Sequence, residues 1–190
     1  MDLYSYVFRA LITEDSLDRA GRKNRLALDN LDIAGRLSQL GIADMDDDLV
    51  TSARDSSVIY IAIHPFENTV RSFVTKKLQE VHGTEWWEKS VKKEVRTRAE
   101  NRRDVEQTIR WHSARGDNLI DYTEFGDLVS IIAGNWALFE PHITSVDWAK
   151  EIIGTIEKSR NVIMHGGVLK ETDAERVGVY IRDWLRQVGS

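Results

Sequence analysis

Apolar residues recur along most of this chain at helical spacing. Ile59, Ile63, Phe66, Val70 and Phe73 stand at i, i+4, i+7, i+11 and i+14. Asp46, Asp47 and Asp48 precede that series and suit a helix N-terminus, where carboxylates cap free amides and meet the positive end of the dipole. The pattern predicts one long helix over about 47–81. Pro65 lies inside it and should kink it, because proline lacks the backbone donor that the helix needs there. "HGTEWWEKS" breaks the pattern, and residues 88–112 read as a charged helix followed by the loop "ARGDN". Residues 123–140 form an apolar helix carrying Phe125, Leu128, Ile131, Ile132, Trp136 and Phe139, and Pro141 stops it. Ser145 is placed to cap a further helix that ends near His165, with glycines beyond its end. Thr172 and Asp173 start a last helix with Val177, Tyr180, Ile181, Trp184 and Leu185. Nearer the N-terminus, residues 3–12 read as a short apolar helix, and residues 16–40 keep helical spacing around a break at "LDNLD". "SSVIYIAI" is rich in β-formers, yet its flanks hold the helical phase, so the prediction is an all-α bundle.

Composition narrows the class. In 190 residues, 42% are apolar and 30% charged, enough for one domain with a sizeable core or for one domain plus a small appendage. Cysteine is absent, which removes disulfides, thiolate metal sites and thiol nucleophiles, and agrees with a reducing compartment. The opening "MDLYSYVFRALITEDS" has no basic region and only a short apolar run, so neither a signal peptide nor a membrane span is expected and a cytoplasmic location is. The formal charge is −5, against bulk cationic nucleic-acid binding. That charge is uneven. Arg71 to Asp117 holds 12 Lys/Arg against 8 Asp/Glu, and Thr13 to Ser56 holds 6 against 10. The basic half suits phosphate backbones, and equally a solvated helix of mixed pairs, so Arg96, Arg98, Arg102 and Arg103 carry both readings.

"SRNVIMHGG", residues 159–167, carries the candidate chemistry. On an ideal helix counted from Ala149, the stripe of Ile152, Ile153, Ile156 and Ile163 brackets Arg160, which falls at about 20°. A guanidinium among apolar residues is costly unless it is paired or opens onto a cleft. Asn161 and His165, four apart, are neighbours on one face, and His165 stands at the helix C-terminus, a position that favours a cation. An amide, a histidine and a fixed arginine suit proton transfer beside a phosphate. Arg160 and His165 lie about 140° apart on the ideal wheel, so they share a site only if the arginine reaches round, the helix end distorts, or a second subunit completes the cleft. No phosphate loop, no Ser/His/Asp arrangement and no metal-ligand spacing is present, so no metal or cofactor is expected.

"RNVIMH" resembles the R-x(4–6)-H motif of HEPN domains. "YIAIHPFENTVRSFV", "GTEWWEKSV", "DYTEFGDLVSIIAGNWALFE" and "RNVIMHGG" together resemble the HEPN branch at the C-terminus of Swt-type RNA endonucleases and related bacterial proteins. The resemblance spans roughly residues 47–187. It divides the chain into an N-terminal helical extension, 1–45, and a HEPN-like helical domain, 46–190.

The family implies metal-independent endoribonuclease activity in a homodimer with a composite cleft. The RNA 2′-hydroxyl attacks, leaving a 2′,3′-cyclic phosphate and a 5′-hydroxyl. On that reading His165 is the acid/base, Arg160 contacts the scissile phosphate, and Asn161 orients His165 or the phosphate. The resemblance also suggests an acidic residue facing the motif helix, here Glu67, as the partner of Arg160. The plainer reading of Glu67 is an i,i+4 pair with Arg71. Asn68 and Arg71 are candidate substrate contacts, with capping at the proline as the plainer role of Asn68. His64 reads as an exposed or satisfied histidine near the site. A regulatory protein partner and a toxin or antiviral-defence setting belong to the same expectation. The alternative is a non-catalytic HEPN module that binds RNA or protein. Some HEPN toxins carry a tyrosine two residues after the histidine that a partner modifies; Gly167 stands there instead.

Overall fold

The computed structural model describes residues 30–189, and all of the regular structure among them is helical. The expected helix over 3–12 and the first part of the one over 16–40 lie outside the described residues. The chain divides into two compact units, Met1–Thr51 and Ser52–Ser190. In the first, α1 (Asn30–Gln39) runs through the second half of the segment read as a break. Gly41, at φ 66°, then turns the chain into a short 3-10 helix, Ile42–Asp44.

Helix α2 (Asp47–His82) is 36 residues long and continues through Pro65. Its start is set by Asp46, whose Oδ1 accepts from the backbone N–H groups of Asp48 and Leu49 at 3.0 and 3.2 Å. Ile63, Phe66, Val70, Phe73, Val74 and Leu78 are its buried face. The charged region read as one helix is two, α3 (Trp86–Ser90) and α4 (Lys93–Gln107), parted at Val91 and Lys92. The region read as a helix over 123–140 is likewise α5 (Phe125–Gly134) and α6 (Trp136–Phe139). Asn135 interrupts it, and its side-chain amide donates to the carbonyls of Ser90 and Ile131. Helix α7 (Val146–Met164) and helix α8 (Glu171–Val188) complete the second unit.

Within that unit α5 packs on α7 and α7 on α8. Aromatic rings tie α2 to them. Phe66 stacks against Phe125 and meets Trp184 edge-on, and Phe73 meets Phe139 and Trp184 edge-on. Trp184 is fully buried and lies parallel to Trp148 with ring centroids 5.6 Å apart. Each such fully buried side chain contributes roughly 1.5–3 kcal/mol by leaving water. Trp86 and Trp87 are buried edge-to-face at 5.4 Å, a packed corner rather than a surface for stacking bases.

Candidate active site

Helix α7 begins where the Ser145 hydroxyl accepts from the Trp148 N–H at 3.0 Å. Its buried stripe is Ala149, Ile152, Ile153, Ile156 and Ser159. The stripe leans towards Ser159 in the last turns, so Arg160 stands at its margin and not at its centre, with 35% of its side chain exposed. Beyond it only Ile163 still packs on the core, half-buried, while Arg160 borders a cleft. At the C-terminus the Gly167 N–H donates to the Val162 carbonyl and the Gly166 N–H to the Ile163 carbonyl. Gly166 has φ 77°, so this is a glycine-dependent helix stop. His165 is the capping residue and is exposed.

The cleft has a volume of about 700 Å³ and three walls. Helix α2 contributes Tyr60, His64, Glu67, Asn68 and Arg71. The loop before α5 and that helix's first turn contribute Arg115, Asp121, Thr123, Glu124 and Phe125. Helix α7 contributes Glu157, Arg160 and Asn161. The loop is held in shape by its own bonds. Asn118 and Asp121 cap the 3-10 helix Leu119–Tyr122, the Tyr122 hydroxyl donates to the Gly116 carbonyl at 3.1 Å, and Arg102 donates to the Tyr122 carbonyl at 3.0 Å.

Glu67 stands between two arginines. Its Oε1 accepts from Arg71 at 2.5 Å, and its Oε2 lies 3.7 Å from Arg160 Nε. The i,i+4 pair and the pair across the cleft are thus both present, and the local one is tighter. Arg71 also donates to the Thr123 carbonyl at 2.9 Å and to Asn68 Oδ1 at 3.3 Å, so it ties α2 to the loop. Arg160 Nε is buried and makes no hydrogen bond. Its guanidinium borders the cleft with an ion-pair neighbour but without the fork-to-fork bonding that would consume its donors. Asn68 lies with its amide nitrogen 3.4 Å from His64 Nε2. Asn161 lines the cleft and is exposed. His165 does not line it.

Two carboxyl groups are displaced from their ordinary range in opposite directions. Burial pushes Glu157 up; the Gly126 N–H and Arg160 pull against it, while the nearby Glu124 and Asp127 add to it. Burial also pushes on Asp127, which is 4% exposed, yet hydrogen bonds from Arg98, Arg102 and the Glu124 backbone outweigh it and hold Asp127 low. Arg98 reaches Asp127 Oδ1 at 2.5 Å, and Arg102 reaches Oδ2 at 2.8 Å. These two arginines, open in the sequence reading to tracking an RNA backbone, are therefore engaged in joining α4 to the start of α5.

Of the residues singled out from the sequence, Glu67, Asn68, Arg71, Arg160 and Asn161 meet in this cleft. Glu157 carries no signal in the sequence, although it lies three residues before Arg160 on the motif helix, and His64 reads there as an exposed or satisfied histidine. Arg115, Asp121 and Glu124 carried no sequence signal. Among the described residues, no group of three or more His, Asp or Glu side chains is gathered as a metal ion would require, and no helix is long and apolar enough to cross a membrane.

Neither a curated protein nor a solved structure matches the chain. A family model described as Swt1-like HEPN matches residues 62–189, a span that holds every residue lining the cleft except Tyr60. This helical bundle, with its arginine-to-histidine motif at the end of α7, therefore belongs to the Swt1-like HEPN family, whose role is in RNA-related nuclease function in general.

Proposed function

We propose that this protein is an endoribonuclease that cleaves RNA by attack of the 2′-hydroxyl on the adjacent phosphate, without a metal, leaving 2′,3′-cyclic phosphate and 5′-hydroxyl ends. The observation that carries the reading is Arg160: a cleft-lining guanidinium 3.7 Å from Glu67, with no hydrogen bond at its Nε. It binds the scissile phosphate and stabilises the charge that develops on it. Glu67, itself held by Arg71, keeps it in place, Asn68 and Asn161 contact the phosphate or ribose, and His165 transfers protons. Because the attacking group is the 2′-hydroxyl, RNA and not DNA is the substrate. The exposed His165 enters the reaction in a homodimer whose two α7 ends meet, so that each copy's histidine lies against a cleft. The setting is RNA control, as in a toxin or a defence system, in the cytoplasm, with room for a regulatory protein partner.

The test is cleavage of RNA in excess EDTA by wild type, Arg160→Ala and His165→Ala. Cleavage by wild type alone supports the mechanism. A metal requirement, or cleavage that survives both substitutions, overturns it. The place of His165 outside the cleft wall favours a second reading, a non-catalytic module; that reading predicts RNA binding, lost in Arg160→Ala, with no strand scission by wild type.

A further inference from the structure

A chain of hydrogen bonds along α2 sets the state of a histidine to which neither the family match nor the motif gives a role. It starts at Glu67, whose carboxylate accepts from Arg71 at 2.5 Å. Arg71 Nη1 in turn stands 3.3 Å from Asn68 Oδ1. A guanidinium only donates, so Asn68 must turn its oxygen to Arg71, which leaves its NH2 group for the other side. That NH2 group lies 3.4 Å from His64 Nε2. Nε2 must then accept, and the ring proton sits on Nδ1. The Tyr60 ring, with its centroid 5.8 Å from that of His64, borders the imidazole one turn earlier. His64 is exposed and lines the cleft that Arg160 and Asn161 line. Its Nε2 lone pair therefore points to a weak, long contact that a substrate hydroxyl can displace.

Strand scission by a 2′-hydroxyl needs two proton-transfer groups, because the attacking and leaving oxygens lie on opposite sides of phosphorus. One removes the 2′ proton and the other supplies a proton to the 5′ oxygen. His165, on the helix cap outside the cleft wall, fills one of these places. We propose that His64 fills the other and is the general base of the cleft, taking the 2′-hydroxyl proton on Nε2 while Arg160 holds the phosphate. This rests on the RNA-cleavage reading. As the 2′ oxygen bonds to phosphorus, its proton passes to Nε2. The bond from phosphorus to the 5′ oxygen then breaks, and that oxygen takes its proton from His165. After the product leaves, His64 gives its proton to water and His165 takes one back from water, so the turnover balances without any oxidant or reductant.

Single-turnover cleavage by the full chain distinguishes the roles, using an RNA oligonucleotide with an ordinary 5′ oxygen and one with sulfur in its place at the scissile linkage. Sulfur departs without a proton, so it restores a variant that lacks the acid and not one that lacks the base. His64→Gln is expected to cleave both substrates about 100-fold more slowly than wild type, to bind RNA as tightly, and to gain rate steadily with rising pH as hydroxide replaces the base. His165→Ala is expected to regain most of its rate on the sulfur substrate. Since His64 is exposed, thermal unfolding of His64→Gln should match wild type; His64→Asn is a second variant should it not. Wild-type-like cleavage by these variants, or rescue of His64→Gln by sulfur, overturns the assignment while leaving the nuclease reading intact. Wild type that cleaves neither substrate overturns both.

Discussion

Glu157 and Arg160 share the cleft wall of one helix, one turn apart, and their charges oppose each other's use. A carboxylate there repels an incoming phosphate, and burial already holds Glu157 above its ordinary range. Glu157→Gln should bind RNA more tightly at neutral pH, with the gain shrinking as pH falls towards the range where wild-type Glu157 is protonated; a titration of labelled RNA against both proteins checks this. The stability sign follows from the same shift. A carboxyl raised in the folded state contributes stability that is present at low pH and lost as pH rises through the raised value, so the urea midpoint of Glu157→Gln should gain on wild type as pH rises from the ordinary carboxylate range through that raised value. Asp127 runs the other way. Its carboxyl is held low, so its contribution is present above the ordinary carboxylate range and lost as pH falls through the folded value. Asp127→Asn should cost about 1–3 kcal/mol at neutral pH, since Arg98 is half exposed and rehydrates when it loses its partner, and should flatten the acid limb of the stability curve.

At the scale of elements, α7 is bounded by a side-chain cap at one end and a glycine stop at the other. Gly166 sits at φ 77°, which an L side chain adopts only under strain. Gly166→Ala should destabilise by about 1 kcal/mol and release His165 from its fixed place, lowering cleavage more than stability. Gly154, in the middle of the same helix, is the contrast, because an added Cβ there meets nothing within 4 Å. Gly154→Ala should stabilise by about 0.5–1 kcal/mol and leave cleavage unchanged. Both differences are read from urea unfolding and single-turnover rates on the same samples. The ends of α2 and α7 were legible in advance because they depend on residues within one turn: Asp46, Ser145 and Gly166 each act on neighbouring amides or carbonyls. The breaks at Val91–Lys92 and at Asn135 were not. Helical spacing continues across both, and what interrupts the second is an amide bonded to Ser90, 45 residues away.

For the molecule as a whole, the exposed apolar residues around the motif matter most. Val162, Met164 and Val168 are 39%, 55% and 63% exposed and flank His165. They suit the meeting of two α7 ends in the proposed homodimer. Val162→Glu with Met164→Glu should shift the mass measured by light scattering from dimer to monomer at micromolar concentration and abolish cleavage, while circular dichroism stays helical. Wild type that is monomeric and still cleaves would remove the composite cleft and leave a single chain to supply every group.

Helical period and end signals, read from the sequence alone, established an all-α bundle, the long α2, the limits of α7, and Arg160 as a charge that needed either a partner or a cleft. These are local properties, set by side chains within four residues of one another. Tertiary structure decided the rest. It placed Arg160 at the margin of the stripe, divided Glu67 between Arg71 and Arg160, brought His64 and Glu157 into the cleft, left His165 outside its wall, and took Arg98 and Arg102 for Asp127. Each of those outcomes depends on the rotation and tilt of one helix against another. No single helix encodes them, because its own period is the same whichever neighbour it meets.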